Sequence, residues 1–483
     1  MMESSTPVNM VTSSPPVEAG PPIQAGARPS PTFTGAIRIR LRAPSRRRNL
    51  ELGLLLFAMA VGVSALLLVM LGALGSIDSG LVSLTLTLCV LILALHVALR
   101  VVAPEADPFL LPIATLLNLI GIAEITRIDI ARGDVGWEAY GVRQVAWTAI
   151  AVVAAAAVLI GIRNHRVLQR YRYVAGFVAI ALLALPFLPG IGLSVNGARA
   201  WVNLGIASFQ PGEIAKLALA VFFAGYLVTA RDSLSMVGRR FLGMTFPRIR
   251  DFGPILVVWI LSMAVIVFQR DLGSGLLYFG LFLVMIYVAT ARASWVLLGI
   301  VLFVGGAYLA ARNLEYVGGR FYGWLNTFDS ELYDQGGGSY QLANGLFGLA
   351  DGGLPGMGLG RGNPDITPLA ESDFIVASLG EELGLIGLFA ILVLYMVFVS
   401  RGFHLAFAGQ DDFGRLLGVG LAFVVALQVF IVAGGVTRVI PLTGLTTPFL
   451  AAGGSSLVAN WIIVALLARL SDSVRAQPRV VIE

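Results

Sequence analysis

From residue 52 onward the chain is dominated by long, unbroken apolar runs. They fall at about 52–75, 80–102, 109–126, 144–162, 173–192, 212–230, 252–269, 272–291, 294–312, 373–400, 415–437 and 446–469. Each approaches the roughly 20 residues that a helix needs to cross a bilayer. The pattern predicts an all-α, polytopic transmembrane helical bundle of about 12 spans. Because the runs are continuous rather than alternating, a transmembrane β-barrel is excluded. Composition agrees: 57% of residues are hydrophobic and 13% charged, with a mean hydropathy of +0.85, whereas soluble domains carry about 25% charged residues.

The polar segments divide the chain. Residues 1 to about 35 are rich in Pro, Ser, Thr, Gly and Ala without apolar periodicity, which predicts a disordered tail. The basic block "RIRLRAPSRRRNLELG" follows directly before the first run. It reads as a cytoplasmic anchor rather than a cleavable signal, because no small-residue cleavage site follows a short apolar core. We therefore expect a cytoplasmic tail over 1–48, a membrane domain over 49–470 and a second cytoplasmic tail over 471–483.

Loop charges fix the orientation. With the N-terminus inside, "GIRNHRVLQRYR" (161–172), "RDSLSMVGRRFLGMTFPRIRD" (231–251) and the tail with Arg475 and Arg479 all fall inside, as the positive-inside rule requires. The outside loop 127–143 offsets Arg127, Arg132 and Arg143 with Asp129, Asp134 and Glu138. The net charge of +5 thus follows membrane topology and does not point to nucleic acid. One outside segment, 313–372 between the ninth and tenth spans, is too long for a simple connection. Its "YQLANGLFGLA" predicts a short helix near the outer surface. The single cysteine, Cys89, lies in an apolar run and permits no intramolecular disulfide. His96, His165 and His404 do not cluster, which argues against a histidine metal site.

Charges inside apolar context are costly, roughly 2.5–3.5 kcal/mol each on insertion scales, so they mark candidate chemistry. Of the 33 Lys and Arg side chains only Lys216 is a lysine, three residues after Glu213 in "FQPGEIAKLAL". The two share a helix face, and Pro211 marks a helix start whose free N–H groups favour anions. A structural ion pair and an anion site in the bundle both fit. In "FQRDLGSG", Arg270 and Asp271 read most simply as a surface pair at a tight outside turn. Asp373, in "ITPLAESDFIVASLGEELGLIG", stands where the long polar segment meets an apolar helix. Ser372 or Asp373 could cap that helix; alternatively Asp373 is a general base meeting a lipid-linked substrate. Glu381 and Glu382 lie roughly 12–14 Å further along at 1.5 Å per residue and require inward pairing. In "GGVTRVIPLTGLTTPFLAAGGSSLVANW", Arg438, Ser455 and Ser456 would rim a cavity suited to phosphate, with non-helical backbone beside it.

Taken in order, "NGARAWVNLG", "FQPGEIAKLAL", "FQRDLGSGLL", "GSYQLANGLFGLADGGLPGMGLG", "SDFIVASLGEELGLIG" and "IPLTGLTTPFLAAGGSSLVAN" resemble the SEDS family of cell-wall polymerases (shape, elongation, division and sporulation), which includes RodA and FtsW. The resemblance covers about residues 110–470. The family usually has ten spans, and the two extra ones at the N-terminus resemble the longer RodA-like proteins of actinobacteria. "GEELGL" and "IPLTGLTTP" lean towards RodA. The chain departs from the family at Gly212, Arg270, Leu369, Glu371, Ser372, Ala451 and Ala452, and Arg199 is one residue out of register before Trp201.

The resemblance implies a peptidoglycan glycosyltransferase of the bacterial plasma membrane that polymerises lipid II at the outer face, working with a class B penicillin-binding protein transpeptidase. It implies Asp373 as the single base of an inverting transfer. Lys216, Arg438 and Arg199 would face the departing diphosphate, with Glu213 holding Lys216. Trp201, Gln341, Ser455 and Ser456 complete the expected substrate site. A divalent cation (Mg or Mn) between Asp373 and the diphosphate is compatible with the sequence, but no ligand cluster demands it. A lipid II flippase is the alternative, since paired charges and broken helices also suit transport; a non-catalytic scaffold for a transpeptidase is the third reading.

Overall fold

The computed structural model describes residues 45–195, 197–205, 208–235, 240–241, 244–245, 253–333 and 339–476. The tail expected before Ser45, part of the Arg-rich loop 231–251 and the end of the C-terminal tail lie outside the described residues. The elements run α1 (Ser45–Leu74), α2 (Ser79–Val102), α3 (Leu110–Arg132), α4 (Tyr140–Gly161), α5 (Arg166–Arg170), α6 (Arg172–Ala184), β1 (Gly192–Val195), β2 (Ala198–Asn203), β3 (Ser208–Phe209) and α7 (Pro211–Ser235). There follow β4 (Arg240–Phe241), β5 (Met244–Thr245), α8 (Gly253–Ala264), α9 (Leu272–Thr290), α10 (Ala293–Asn313), α11 (Glu315–Leu325), α12 (Ser330–Tyr333), α13 (Tyr340–Gly352), α14 (Ile375–Ala408), α15 (Asp412–Val436) and α16 (Gly454–Arg475).

Among the described residues ten helices are long and apolar enough to cross a membrane: α1 to α4, α7, α9, α10, α14, α15 and α16. The other two apolar runs are helical at Arg172–Phe187 and Leu256–Gln269, but each is shorter, at 10–17 residues. Pro186 ends the first in a 3-10 turn, and the second closes in a π turn over Val265–Gln269. The protein is an all-α polytopic membrane protein. Its central post is α3, whose apolar window is 89% buried, against 28% for α10 at the lipid-facing edge. Helix α1 packs along α3, α4 along α16, α6 along α7 and α14 along α15. Local signals set the helix starts: Asp78, Asp271 and Asp411 cap α2, α9 and α15 through their side chains, the stabilising role expected of Asp at that position.

Three departures from straight helices position the candidate site. Residues 192–209, read from sequence as a plain outside loop, form a three-stranded antiparallel sheet in the order β1-β2-β3. The segment 313–372 contains α13 where a short helix is expected, and also α11, α12 and a 3-10 turn that the sequence reading does not include. Helix α14 breaks at Gly384, which takes φ 68° and ψ −176°, a region open in practice to glycine alone.

The break at Gly384 is filled by the chain between α13 and α14. Met357 and Gly358 donate to the carbonyls of Glu381 and Glu382 at 3.0 and 2.9 Å, and Leu385 and Ile386 donate back to Gly353 and Leu354. Side chains complete the staple. Glu382 accepts from Arg127 Nε at 3.0 Å and from the backbone of Gly360 at 3.0 Å, and Glu381 accepts from Asn363 at 2.6 Å. The two glutamates therefore find the inward partners that their position requires, and the four backbone bonds pair groups that the break would otherwise leave to lipid.

Candidate active site

Asp373 lies in the turn before α14. The N-cap of that helix is Phe374, with no side-chain cap bond, so neither Ser372 nor Asp373 serves as a cap. The turn is held from several directions. Leu369, in the left-handed region at φ 57°, accepts from the backbone of Ser372 and Phe374 at 3.0 and 3.3 Å. Gln341 of α13 donates to the carbonyl of Pro368 at 2.9 Å. Behind it, Glu371 pairs with Arg132 at 2.8 Å, and its carbonyl accepts from Ala452 at 2.7 Å.

The partner that faces Asp373 is Arg320 of α11, which sequence reasoning did not single out. A Cβ placed at Gly444 would lie 3.5 Å from Asp373 Oδ2 and 3.7 Å from Arg320 Nη1. Both groups thus come within ordinary contact distance of this one position, and its φ of 78° favours glycine there. Arg320 Nη1 donates to the carbonyl of Leu442 at 2.9 Å. Burial pushes the Asp373 carboxyl up to about 7; Arg320 opposes this, while the charges of Asp271 and Glu371 add to it. Asp271 is not the surface partner of Arg270. It is buried and accepts from Ser274 N and Oγ at 2.9 and 2.6 Å, and burial raises its carboxyl against those bonds. Arg270 stands over the ring of Tyr316 instead.

The connector 437–453 between α15 and α16 ties these groups to the other expected residues. Lys216 is 1% exposed and donates to Glu213 at 2.5 Å and to Gln428 Oε1 at 2.9 Å. Gln428 in turn donates to the carbonyl of Thr446 at 2.8 Å. Lys216 thus reaches the connector two residues from Gly444, through Gln428 and not across open space. Arg438, at φ 61°, gives Nε to the carbonyl of Trp324 and Nη2 to that of Leu325, both at 2.9 Å. It occupies the last carbonyls of α11, a role that suits a cation at a helix C-terminus, and so fixes the helix that carries Arg320.

Ser455 and Ser456 do not share a rim with Arg438. Both are buried in the first turn of α16, where Gly454 lies so close to Trp147 that a Cβ would sit 2.2 Å from its ring. Arg199 and Trp201 sit on β2; Arg199 donates to the carbonyl of Pro186 at 3.2 Å and stands over Phe187. Neither is brought to Asp373 by those contacts. The sheet reaches the site through Gln210, whose amide lies 3.5 Å from Asp271 Oδ2.

No group of three or more His, Cys, Asp or Glu able to hold a metal occurs among the described residues. With Asp271 committed to Ser274, Asp373 is the acid left to a divalent cation, which fits the habit of magnesium to take one or two carboxylates alongside substrate phosphates. Such an ion would supply neutralising charge to a departing diphosphate.

Comparison with known proteins extends this geometry. Residues 108–476 match the family model for FtsW, RodA and SpoVE, described as "Cell cycle protein". The chain is 44% identical over 446 residues to "Peptidoglycan glycosyltransferase RodA" of Mycobacterium tuberculosis H37Rv, covering 90% of this chain and 94% of that one. It is 36% identical over 300 residues to "Stage V sporulation protein E" of Bacillus subtilis 168, covering 61% and 77%. Among solved structures, a chain described under "Structural coordination of polymerization and crosslinking by a peptidoglycan synthase complex" aligns with a TM-score of 0.54 at 25% identity, over 83% of this chain and 99% of that one. The rod shape determining protein RodA of Thermus thermophilus shares the fold, with a TM-score of 0.53 at 24% identity, over 77% and 98%. By the extent of these matches, the chain belongs to the FtsW/RodA/SpoVE family of cell cycle proteins.

Proposed function

We propose that this chain polymerises lipid II into glycan strands at the outer face of the bacterial plasma membrane, with Asp373 as general base. Family membership and the 44% identity to proteins named peptidoglycan glycosyltransferase make the chain an enzyme of that class. The observation that carries the residue assignment is the environment of Asp373. It is half-buried, committed to no helix cap, opposite a guanidinium, and its carboxyl is pushed up to about 7. A base acts best when its pKa lies near the working pH.

In the reaction, the acceptor sugar's 4-hydroxyl oxygen bonds to the anomeric carbon of the donor chain as the bond from that carbon to the diphosphate oxygen breaks. The hydroxyl proton passes to Asp373. An α-linked donor gives a β-linked product by this one inversion, so no nucleophile on the enzyme is required. Charge developing on the departing diphosphate is met by Arg320, in the manner of preorganised electrostatic stabilisation. Lys216, Glu213 and Gln428 hold the connector, and Arg438 holds α11; these act through position. Gln341 braces the turn that carries Asp373. Arg199 on the sheet, held by the carbonyl of Pro186, and the buried Ser455 and Ser456 at the start of α16 take no part in this step.

The Arg-rich segments at 161–172 and 231–251 support cytoplasmic termini in this reading. The likeness to a chain from a peptidoglycan synthase complex supports a class B penicillin-binding protein as partner. The test is purified protein given lipid II, with and without Asp373→Ala. Glycan polymer from the unaltered chain alone supports the assignment; polymer at full rate from Asp373→Ala removes it; translocation of lipid II across a bilayer without polymer makes the chain a flippase.

A further inference from the structure

At the opposite end of α14 from Asp373 lies a cavity that the reaction does not use. It occupies about 310 Å³ between the loop that precedes α5, the α14–α15 turn and the last turn of α16.

The lining divides into two parts. One wall is apolar, built from Leu405, Ala406, Leu470 and Val474. The other carries the guanidinium groups of Arg163, Arg166 and Arg415 against a single carboxylate, Asp411. That carboxylate is already committed: it accepts from Gly414 N at 2.9 Å to cap α15, lies 3.0 Å from His165 Nε2 and 3.5 Å from Arg166 Nε. His165 is itself buried and stacked on Phe413. Gly414 permits the closeness, because a Cβ there would sit 2.8 Å from His165 Nε2.

Two of the three guanidinium groups have capacity left. Arg415 pairs with Asp412 through Nη2 at 2.6 Å, but its Nε is buried without a hydrogen-bond partner. Arg163 is exposed and forms no ion pair among the described residues. A buried N–H left without a partner costs free energy that a bound acceptor would recover. Excess positive charge beside an apolar wall at the membrane boundary is complementary to an anionic amphiphile.

We infer that this cavity binds the phosphate headgroup of an anionic phospholipid, with the phosphate on Arg163 and Arg415 and an acyl chain along Leu405, Leu470 and Val474. The site is separate from the proposed active site, so its failure would leave the polymerase reading intact.

The experiment uses the full chain in lipid nanodiscs of phosphatidylcholine containing a minor fraction of phosphatidylglycerol, with the co-retained lipid read by native mass spectrometry. The unaltered chain should retain phosphatidylglycerol well above its mole fraction. Arg163→Gln, which alters an exposed side chain, should reduce that enrichment roughly fivefold, and Arg163→Gln with Arg415→Gln by roughly 25-fold. Millimolar inorganic phosphate should not displace the lipid. Retention of both lipids in proportion to their abundance, or enrichment untouched by Arg163→Gln, would overturn the inference. Full displacement by inorganic phosphate would also overturn it, by making the site one for a free anion.

Discussion

Asp373 differs from the acids around it in what it is left free to do. Asp271 is spent on Ser274 and the start of α9, and Glu371 on Arg132; Asp373 has Arg320 across an open position at Gly444. Replacing it by Ala or Asn should lower polymerisation by about 10²–10⁴, the usual worth of a positioned base, with lipid II binding largely kept; gel analysis of glycan products measures the first and a binding isotherm the second. The protonation state should be visible too. Since the carboxyl is pushed up to about 7 and the ionised form is the base, kcat/KM should rise with pH through that value and level off above it. Arg320 holds the carboxyl down, so Arg320→Gln should move the midpoint to higher pH, and an unmoved midpoint would separate Arg320 from Asp373. Lys216 is a different case. Its buried partners are Glu213 and Gln428, and Lys216→Met leaves a buried carboxylate without its cation, a loss of about 3–5 kcal/mol. Melting in detergent should show it, and adding Glu213→Gln should restore part of it. An unchanged melting temperature with lost activity would instead put the ammonium on the substrate. The sequence marks Asp373 and Lys216 as charges in apolar context; it does not mark Arg320, whose neighbours in "GGRFYGW" carry no spacing that points to an acid more than fifty residues away.

At the scale of elements, the helices were legible because apolar runs of span length leave few other conformations for backbone that must satisfy its own polar groups. The sheet at 192–209 was not, because its strands are short and its alternation is mixed with exposed apolar residues. Nor was the break in α14. "GEELGLIG" looks like continuous helix, and only the packing of residues 353–358 against it explains why Gly384 leaves helical geometry. Gly384→Ala should therefore be costly: the new Cβ would meet Gly356 N at 2.2 Å, and the φ/ψ strain alone is worth about 1–3 kcal/mol. We expect a lowered melting temperature and lost activity together, because the chain that reaches from α13 to Asp373 is stapled at this point. A variant that melts normally would show that the staple is dispensable.

At the scale of the whole molecule, topology is the prediction that matters most. Val135 and Val167 are exposed, and Cys89 is buried, which leaves little background for thiol labelling. A membrane-impermeant maleimide should label Val135→Cys in intact cells, and Val167→Cys only after permeabilisation; the reverse pattern would turn the proposed active site to the cytosol. The number of apolar segments, their helical state, the position of the long ordered segment and the isolation of Asp373 at a polar–apolar junction were determined by sequence alone, because burial in lipid and the cost of unpaired charge act locally along the chain. Which cation faces Asp373, that Asp271 turns inward, that Arg438 serves α11, and that Lys216 reaches the connector through Gln428 were decided only in three dimensions. Those pairings join α7, α9, α11 and the α14–α16 region across long sequence separations, and hydropathy carries no term for which of several helices will stand side by side.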